Sequence, residues 1–397
     1  CLLHEKPFVG INGSGKHNNW SLSNDKGENL LEPGTTPHQN LRFLAVLAVV
    51  LKAVNDNAAV LRATIANPGN DHRLGANEAP PAIISVFLGS MLEKICNDIE
   101  EGKSAKATEQ SIIDLGVGKI PNISKDYTDR NRTSPFAFTG NKFEFRAVGS
   151  SAIVSVPMTY LNAAVASTFR HASGVLKDLL KTKSNRDEAI MDMIRMYLKE
   201  SKKVRFDGNG YSQEWRDEAA SRGLPILKST ADAIEVYKDS KKTAFLTELK
   251  VLSSEEIMSR YHISVERYVK TVDIEIDTLL EMTQTIVIPA VEKQLMALST
   301  THQNIVSSTL KKHHAARTQK LEATFETILS LQDELIRLAE STSSLHDESA
   351  RMKKLAHEVQ PLSFRLREAC DQAERLVSDE LWPLPKYREM LFAASLS

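Results

Sequence analysis

Residues 6–21 read K-P-F-V-G-I-N-G-S-G-K-H-N-N-W-S, and the chain begins at Cys1, a few residues earlier. Gly13 and Gly15 lack a Cβ, so this loop can bring bare backbone against a ligand. His17, just beyond, offers an imidazole nitrogen to a metal ion. Gly-Ser-Gly alone would mark no more than a turn. With His17 beside it, the loop is read as ligand-binding, and its nearness to Cys1 predicts that these residues are the C-terminal part of a larger enzyme. Residues 10–16 also fit G-x-x-x-x-G-K, the phosphate-cradling P-loop, but His17 stands where a Ser or Thr hydroxyl should meet Mg²⁺. Only Phe8-Val9 precedes the loop in place of a buried strand, and Asn18-Asn19-Trp20-Ser21 does not open a helix. The P-loop reading is set aside.

The chain has 397 residues, 42% hydrophobic and 25% charged, with 50 basic against 51 acidic side chains. That balance gives no basic surface for nucleic acid or for an anionic membrane. Cys1, Cys96 and Cys370 show no C-x-x-C spacing and no disulfide framework, which suits a reduced cytoplasm. The longest apolar run, 43–51, is too short to span a bilayer.

Organisation changes near residue 172. Before it, Gly, Pro and Asn are dense and apolar runs are short. Residues 40–66 carry a helical pattern through Leu44, Leu47, Leu51, Val54, Leu61 and Ile65, ended by Asn67-Pro68-Gly69-Asn70. Residues 82–101 repeat it, while 143–145 and 152–156 read as short strands. The alternation predicts an α+β domain whose loops carry the site. From Ser173 on, the chain reads as almost wholly helical, with amphipathic stretches at 186–201 and 213–222. Ser253-Ser254-Glu255-Glu256 reads as a helix start, and that helix is expected to run to Pro289. Leu321, Ile328, Leu331, Leu335, Leu338, Leu345 and Met352 keep heptad spacing, predicting a coiled-coil-like hairpin around 315–358. Its simplest role is packing within the chain; self-assembly is the alternative.

The opening loop resembles the glutamine synthetase signature N-G-S-G-x-H-x-x-x-S. Three further segments follow in that family's order: Arg73-Leu74-Gly75-Ala76-Asn77-Glu78-Ala79-Pro80, Asp129-Arg130-Asn131-Arg132-Thr133 and Phe143-Glu144-Phe145-Arg146. The type III subgroup is the best match, through residues 6–21, N-R-T-S-P-F-A-F-T-G-N-K-F-E-F-R (131–146) and G-N-G-Y-S (208–212). The resemblance implies the C-terminal portion of a glutamine synthetase catalytic domain over 1–172, followed by a helical C-terminal region over 173–397. It implies an ATP-dependent ligase joining glutamate and ammonia through a γ-glutamyl phosphate, with Mg²⁺ or Mn²⁺ as cofactor. The partners implied are glutamate, ammonia and ATP, within a homo-oligomer, a dodecamer at full length.

By the same resemblance, His17 and Glu144 are metal ligands, and His17 also positions ATP. Arg73 holds the substrate α-carboxylate, Arg146 meets the glutamate side chain near the reacting carbonyl, and Arg132, with Arg130, meets the ATP phosphates. Arginine suits these tasks because its planar fork pairs with carboxylates and phosphates. Glu78 is the base that deprotonates ammonium. Asn12 and Gly13 face glutamate and Ser21 faces the nucleotide.

The sequence departs from the commoner types at Asn19, where they carry histidine. It departs again at Ala147-Val148-Gly149-Ser150-Ser151, which replaces Pro-Asp, and at Ala137, which replaces a second phosphate-binding arginine. The family's other metal-binding glutamates precede the matched stretch, so residues 1–397 alone are expected to be inactive. Two alternatives stand beside the ligase: a related glutamate–amine ligase, and a non-catalytic helical interaction or regulatory protein of the same fold.

Overall fold

The computed structural model describes residues 13–75, 79–103, 112–113, 123–124, 133–385 and 389. Its contacts divide the chain into two compact units, residues 1–264 and 265–397. The compositional boundary at 172/173 falls inside a continuous helix.

The first unit is α+β. Its sheet has the order β1-β6-β5-β2, from Gly15–Trp20 (β1), Val86–Phe87 (β2), Phe136–Phe138 (β5) and Phe143–Gly149 (β6). A separate pair joins Ile112–Ile113 (β3) to Ile123–Ser124 (β4). β6 runs antiparallel to both β1 and β5, and β2 is parallel to β5. The period of two along β6 places Phe143, Phe145 and Ala147 in the core, each at most 2% exposed. Phe136 stacks on Phe143 with ring centroids 4.5 Å apart, and Trp20 and Phe138 close the cluster.

Helices cover this aromatic layer. Leu41–Asp56 (α1) brings Phe43 to within 5.9 Å of Phe138. Ser155–Thr182 (α5) supplies Asn162, whose side-chain oxygen accepts from Trp20 Nε1 at 2.8 Å. Ala58–Thr64 (α2), Pro68–Arg73 (α3) and Ser90–Glu100 (α4) follow α1, and Arg186–Glu200 (α6) packs on α1 and α4. The buried Arg62 of α2 pairs with Asp71 of α3 at 3.2 Å and donates to Leu227 O at 2.9 Å. The other oxygen of Asp71 accepts from the Thr230 backbone N–H at 2.6 Å. Gln213–Ser221 (α7), Thr230–Ile234 (α8) and Ser240–Glu248 (α9) complete this part.

In this unit the structure corrects three expectations. The helix read over 40–66 is two, α1 and α2, bent by 73°. Asn57 stands at the break, where its own amide donates to Ala53 O at 2.9 Å beside the backbone bond to the same carbonyl. Within 82–101 the first part is strand β2, because Gly89 adopts φ +82°, a conformation open to glycine that ends the strand before α4. Residues 152–156 are not a strand; α5 starts at Ser155, and Pro157 sits in its first turn, where a missing N–H costs nothing.

The second unit is helical. The helix Ser254–Met282 (α10) crosses the division between the units, and the Ser253 hydroxyl accepts from Glu256 N as expected for its start. It does not stop at Pro289. A π-helical turn, Thr283–Val287, leads directly into Ile288–Asn304 (α11), with Ile288 N bonded to Thr283 O. The wider turn takes up the register at the point where proline cannot donate. The same device precedes Pro361, where the π-turn Leu355–Val359 joins Glu348–Lys354 (α13) to Gln360–Glu374 (α14). Ser308–Ser343 (α12) packs on α11 and α14. Leu321, Ile328, Leu331, Leu335 and Met352 are buried within the unit, while Leu345, in the turn after α12, is exposed. Among the described residues no single helix is long and apolar enough to cross a membrane; the bent pair α1–α2 meets that test only as two helices together, and α1 is largely buried in the core.

Phe143→Ala empties the centre of the aromatic layer. Its expected cost is about 3–5 kcal/mol of unfolding free energy, measured by chemical denaturation; a loss below about 1 kcal/mol would show that the layer is not the core of this unit.

Candidate functional site

Strand β1 is an edge strand, and its register on β6 decides what the site contains. Gly15 pairs with Gly149, Lys16 with Val148, Asn18 with Phe145 and Trp20 with Phe143. Between Lys16 and Asn18 the register shifts, so His17 faces two residues, Arg146 and Ala147. Such a bulge sharpens the local twist and re-aims a side chain. His17 Nδ1 lies 2.8 Å from Glu144 Oε1. Glu144 Oε2 accepts from Arg146 Nε at 2.9 Å and Nη2 at 2.5 Å. One carboxylate thus joins the imidazole to the guanidinium.

Arg73, the last residue of α3, is 2% exposed. It donates from Nη2 to Arg146 O at 3.1 Å and from Nη1 to Asn70 Oδ1 at 3.2 Å. A Cβ on Gly15 would stand 2.1 Å from Arg73 Nη2, so a side chain here would displace the guanidinium from its present place. The polar face of the sheet then opens into a cleft of about 580 Å³. Its walls are Gly13, Ser14, Gly15, His17, Asn19, Arg73, Thr139, Lys142, Glu144 and Arg146. Arg73, Lys142 and Arg146 against Glu144 leave this lining positive, which favours carboxylate or phosphate ligands.

Burial works to raise the Glu144 carboxyl, but the hydrogen bond and charge of Arg146, joined by His17, outweigh it and hold the group below the ordinary carboxylate range. His17 and Glu144 give a nitrogen and an oxygen donor on one wall, of the kinds that ligate divalent metal ions. Among the described residues no cluster of three His, Cys, Asp or Glu side chains assembles. The pair therefore fits one side of an ion's coordination shell.

Of the residues singled out by sequence, the structure brings together Gly13, His17, Arg73, Glu144 and Arg146. Ser21, beyond the end of β1, does not line the cleft; its hydroxyl donates to Asn29 Oδ1 at 2.6 Å. Asn12, Glu78, Arg130 and Arg132 lie outside the described residues. Sequence reading missed Lys142, Thr139 and Asn70. Lys142 had a signal: it precedes Glu144 and Arg146 at the strand period of two. Thr139 lies in the same hairpin turn, its N–H donating to Lys142 O at 2.8 Å, whereas Asn70 reaches the site's wall through tertiary contacts that no local pattern announces.

Residues 189–306 match the family profile described as the glutamine synthetase C-terminal domain. The type-3 glutamine synthetase of Dictyostelium discoideum is 42% identical to this chain, over 99% of the chain and 54% of that protein. The glutamine synthetase of Bacteroides fragilis (strain YCH46) is 40% identical over 98% of the chain and 55% of that protein. That of Butyrivibrio fibrisolvens is 36% identical, over 99% and 56% respectively. The chain thus spans about half the length of the relatives it matches.

A carboxylate depressed in the folded state stabilises it fully above its unfolded pKa, about 4.3 for Glu, and loses that stabilisation as pH falls through the lower folded value. The stability gap between wild type and Glu144→Gln is accordingly expected to shrink as pH drops from neutral to about 3. Chemical denaturation at several pH values measures it; a gap that does not change with pH would exclude an ionised Glu144 bridge.

Proposed function

We propose, from the premise that this chain is a relative of the glutamine synthetases, type III among them, that it serves ATP-dependent formation of glutamine from glutamate and ammonia. The observation that carries this reading is the convergence of His17, Glu144, Arg146 and Arg73 on one positive cleft. Four side chains from β1, β6 and α3 meet there.

The reaction transfers the γ-phosphoryl group of ATP to the γ-carboxylate of glutamate, and ammonia then displaces phosphate from the acyl phosphate. Negative charge gathers on oxygens in both steps, so fixed cations facing those oxygens lower the barrier. Arg73, held rigidly and almost fully buried, takes the α-carboxylate of glutamate. Arg146, oriented by Glu144, faces the reacting carbonyl. A divalent ion held by His17 and Glu144 would supply charge neutralisation at the phosphates. Arg132 and Arg130 are assigned to the ATP phosphates, Ser21 to the nucleotide, Asn12 and Gly13 to glutamate, and Glu78 to the ammonium proton, all by sequence resemblance.

On this reading residues 1–172 belong to the catalytic domain and 173–397 form a helical region. The working enzyme is a cytoplasmic homo-oligomer, a dodecamer, and draws on residues outside 1–397 for the rest of its metal shell.

The test is glutamine formation from glutamate, ammonia and ATP by the full-length protein, with and without His17→Ala. The variant is expected to lose metal-dependent nucleotide binding and more than roughly 100-fold in rate, beyond what removing a ligand's hydrogen-bond partner usually costs. Full activity in His17→Ala would overturn the assignment of the metal side of the site. Failure of the wild type to form glutamine would overturn the ligase.

A further inference from the structure

Asn70 is fully buried in the short helix α3, with 0% of its surface exposed. Its side-chain amide donates to Ile65 O at 2.7 Å and to Ala147 O at 3.0 Å. Its oxygen accepts from Arg73 Nη1 at 3.2 Å. The three partners sit on three pieces of chain: the residue after α2, strand β6 at the bulge opposite His17, and the last residue of α3. Arg73 completes the link by donating from Nη2 to Arg146 O, the carbonyl next to Ala147.

A primary amide offers two donors and an acceptor in one plane. Aspartate would set oxygens against the carbonyls of Ile65 and Ala147, and alanine would leave both carbonyls and Arg73 Nη1 without this partner. Helix α3 has other anchors. The Asn67 side chain caps it by accepting from Asn70 N at 2.9 Å, and Asp71 ties it to Arg62 and Thr230. The contacts of the Asn70 amide therefore bear on where Arg73 points more than on whether the helix is held.

We propose that Asn70 is a positioning residue: it fixes the Arg73 guanidinium to β6 at the cleft wall and so sets affinity for the carboxylate that Arg73 receives, the α-carboxylate of glutamate. The proposal rests on the reading of Arg73 as the holder of that carboxylate. Asn70 itself touches no substrate.

The experiment compares two ligands of the full-length protein, L-glutamate and 4-aminobutyrate, which keeps the distal carboxylate and lacks the one Arg73 takes. Asn70→Ala is expected to weaken L-glutamate binding, and raise its KM, by roughly tenfold, the scale of one hydrogen bond to a charged group. Binding of 4-aminobutyrate, the KM for ATP and kcat at saturating glutamate are expected to stay within about twofold, since uniform binding is what is lost. Asn70→Asp, which keeps the acceptor for Arg73 and loses both donors, is expected to show the same selectivity and stands in if the alanine variant does not fold. Equal losses for both ligands would mean a merely structural role and overturn the proposal. Intact L-glutamate binding in the Asn70 variants, with loss in Arg73→Ala, would also overturn it. Intact binding in Arg73→Ala would remove the reading of Arg73 itself, and the proposal with it.

Discussion

The antiparallel ladder between β1 and β6 is the interaction on which the site depends. β1 is a sheet edge with a glycine-rich approach, and its backbone bonds to β6 are what give it a fixed place. Through them His17 comes to within hydrogen-bonding distance of Glu144, and Gly15 comes close enough to Arg73 to exclude a side chain. Register is decisive because the side-chain period of a strand is two: a slip of one residue would turn His17 toward the face now held by Phe143 and Phe145. That aromatic face, stacked against Phe136 and covered by Phe43 of α1, makes the slip costly. Hydrophobic packing on one side of β6 thereby fixes polar geometry on the other.

Electrostatics on the polar side follow a consistent rule. Each buried cation is held by oxygens of the protein, and the hold also aims it. Arg146, 4% exposed, is gripped through two nitrogens by one oxygen of Glu144. Arg73 donates to two uncharged oxygens, Arg146 O and Asn70 Oδ1. These two acceptors fix the guanidinium to β6 and to α3 at the cleft wall. The pairing of Glu144 with Arg146 has another logic: it keeps a carboxylate ionised beside the His17 imidazole.

Much of this was readable in the residues. Residues 143–145 read as a strand, and the family resemblance named Glu144 and Arg146; the strand's parity is what puts those two on one face, opposite Phe143 and Phe145. The amphipathic stretches at 186–201 and 213–222 became α6 and α7 nearly to the residue, and the heptad leucines from Leu321 to Leu335 are buried as their spacing implied. The failures share a cause. The bend at Asn57, the strand at Val86–Phe87 and the helix running through Pro289 were each decided by a local backbone event: a side chain bonded to a carbonyl, a glycine at positive φ, a π-turn. Apolar periodicity is blind to such events, since it reports which face is buried and not where the axis turns. Asn70 escaped for a different reason. Its partners Ile65, Ala147 and Arg73 are joined only by the tertiary fold, and a lone asparagine beside Pro68-Gly69 reads as a turn residue.

The second unit uses polar groups, some buried and some at the surface, to another end. Tyr268 donates to Gln360 Oε1 at 3.0 Å, Gln332 to Gln284 Oε1 at 2.9 Å, Arg351 to Asp273 at 2.6 Å, and the Ser378 backbone N–H to Gln294 Oε1 at 2.8 Å. Each pair joins different elements of the same helical assembly, and none of them lines the cleft of the first unit. An apolar seam of leucine and isoleucine tolerates sliding by a turn, because one hydrophobic contact resembles the next. The buried Gln332, bonded to the exposed Gln284, does not, since a slip would strand its amide away from water. In the first unit polar burial aims charge into the cleft, whereas in the second the burial of groups such as Gln332 selects one helical register.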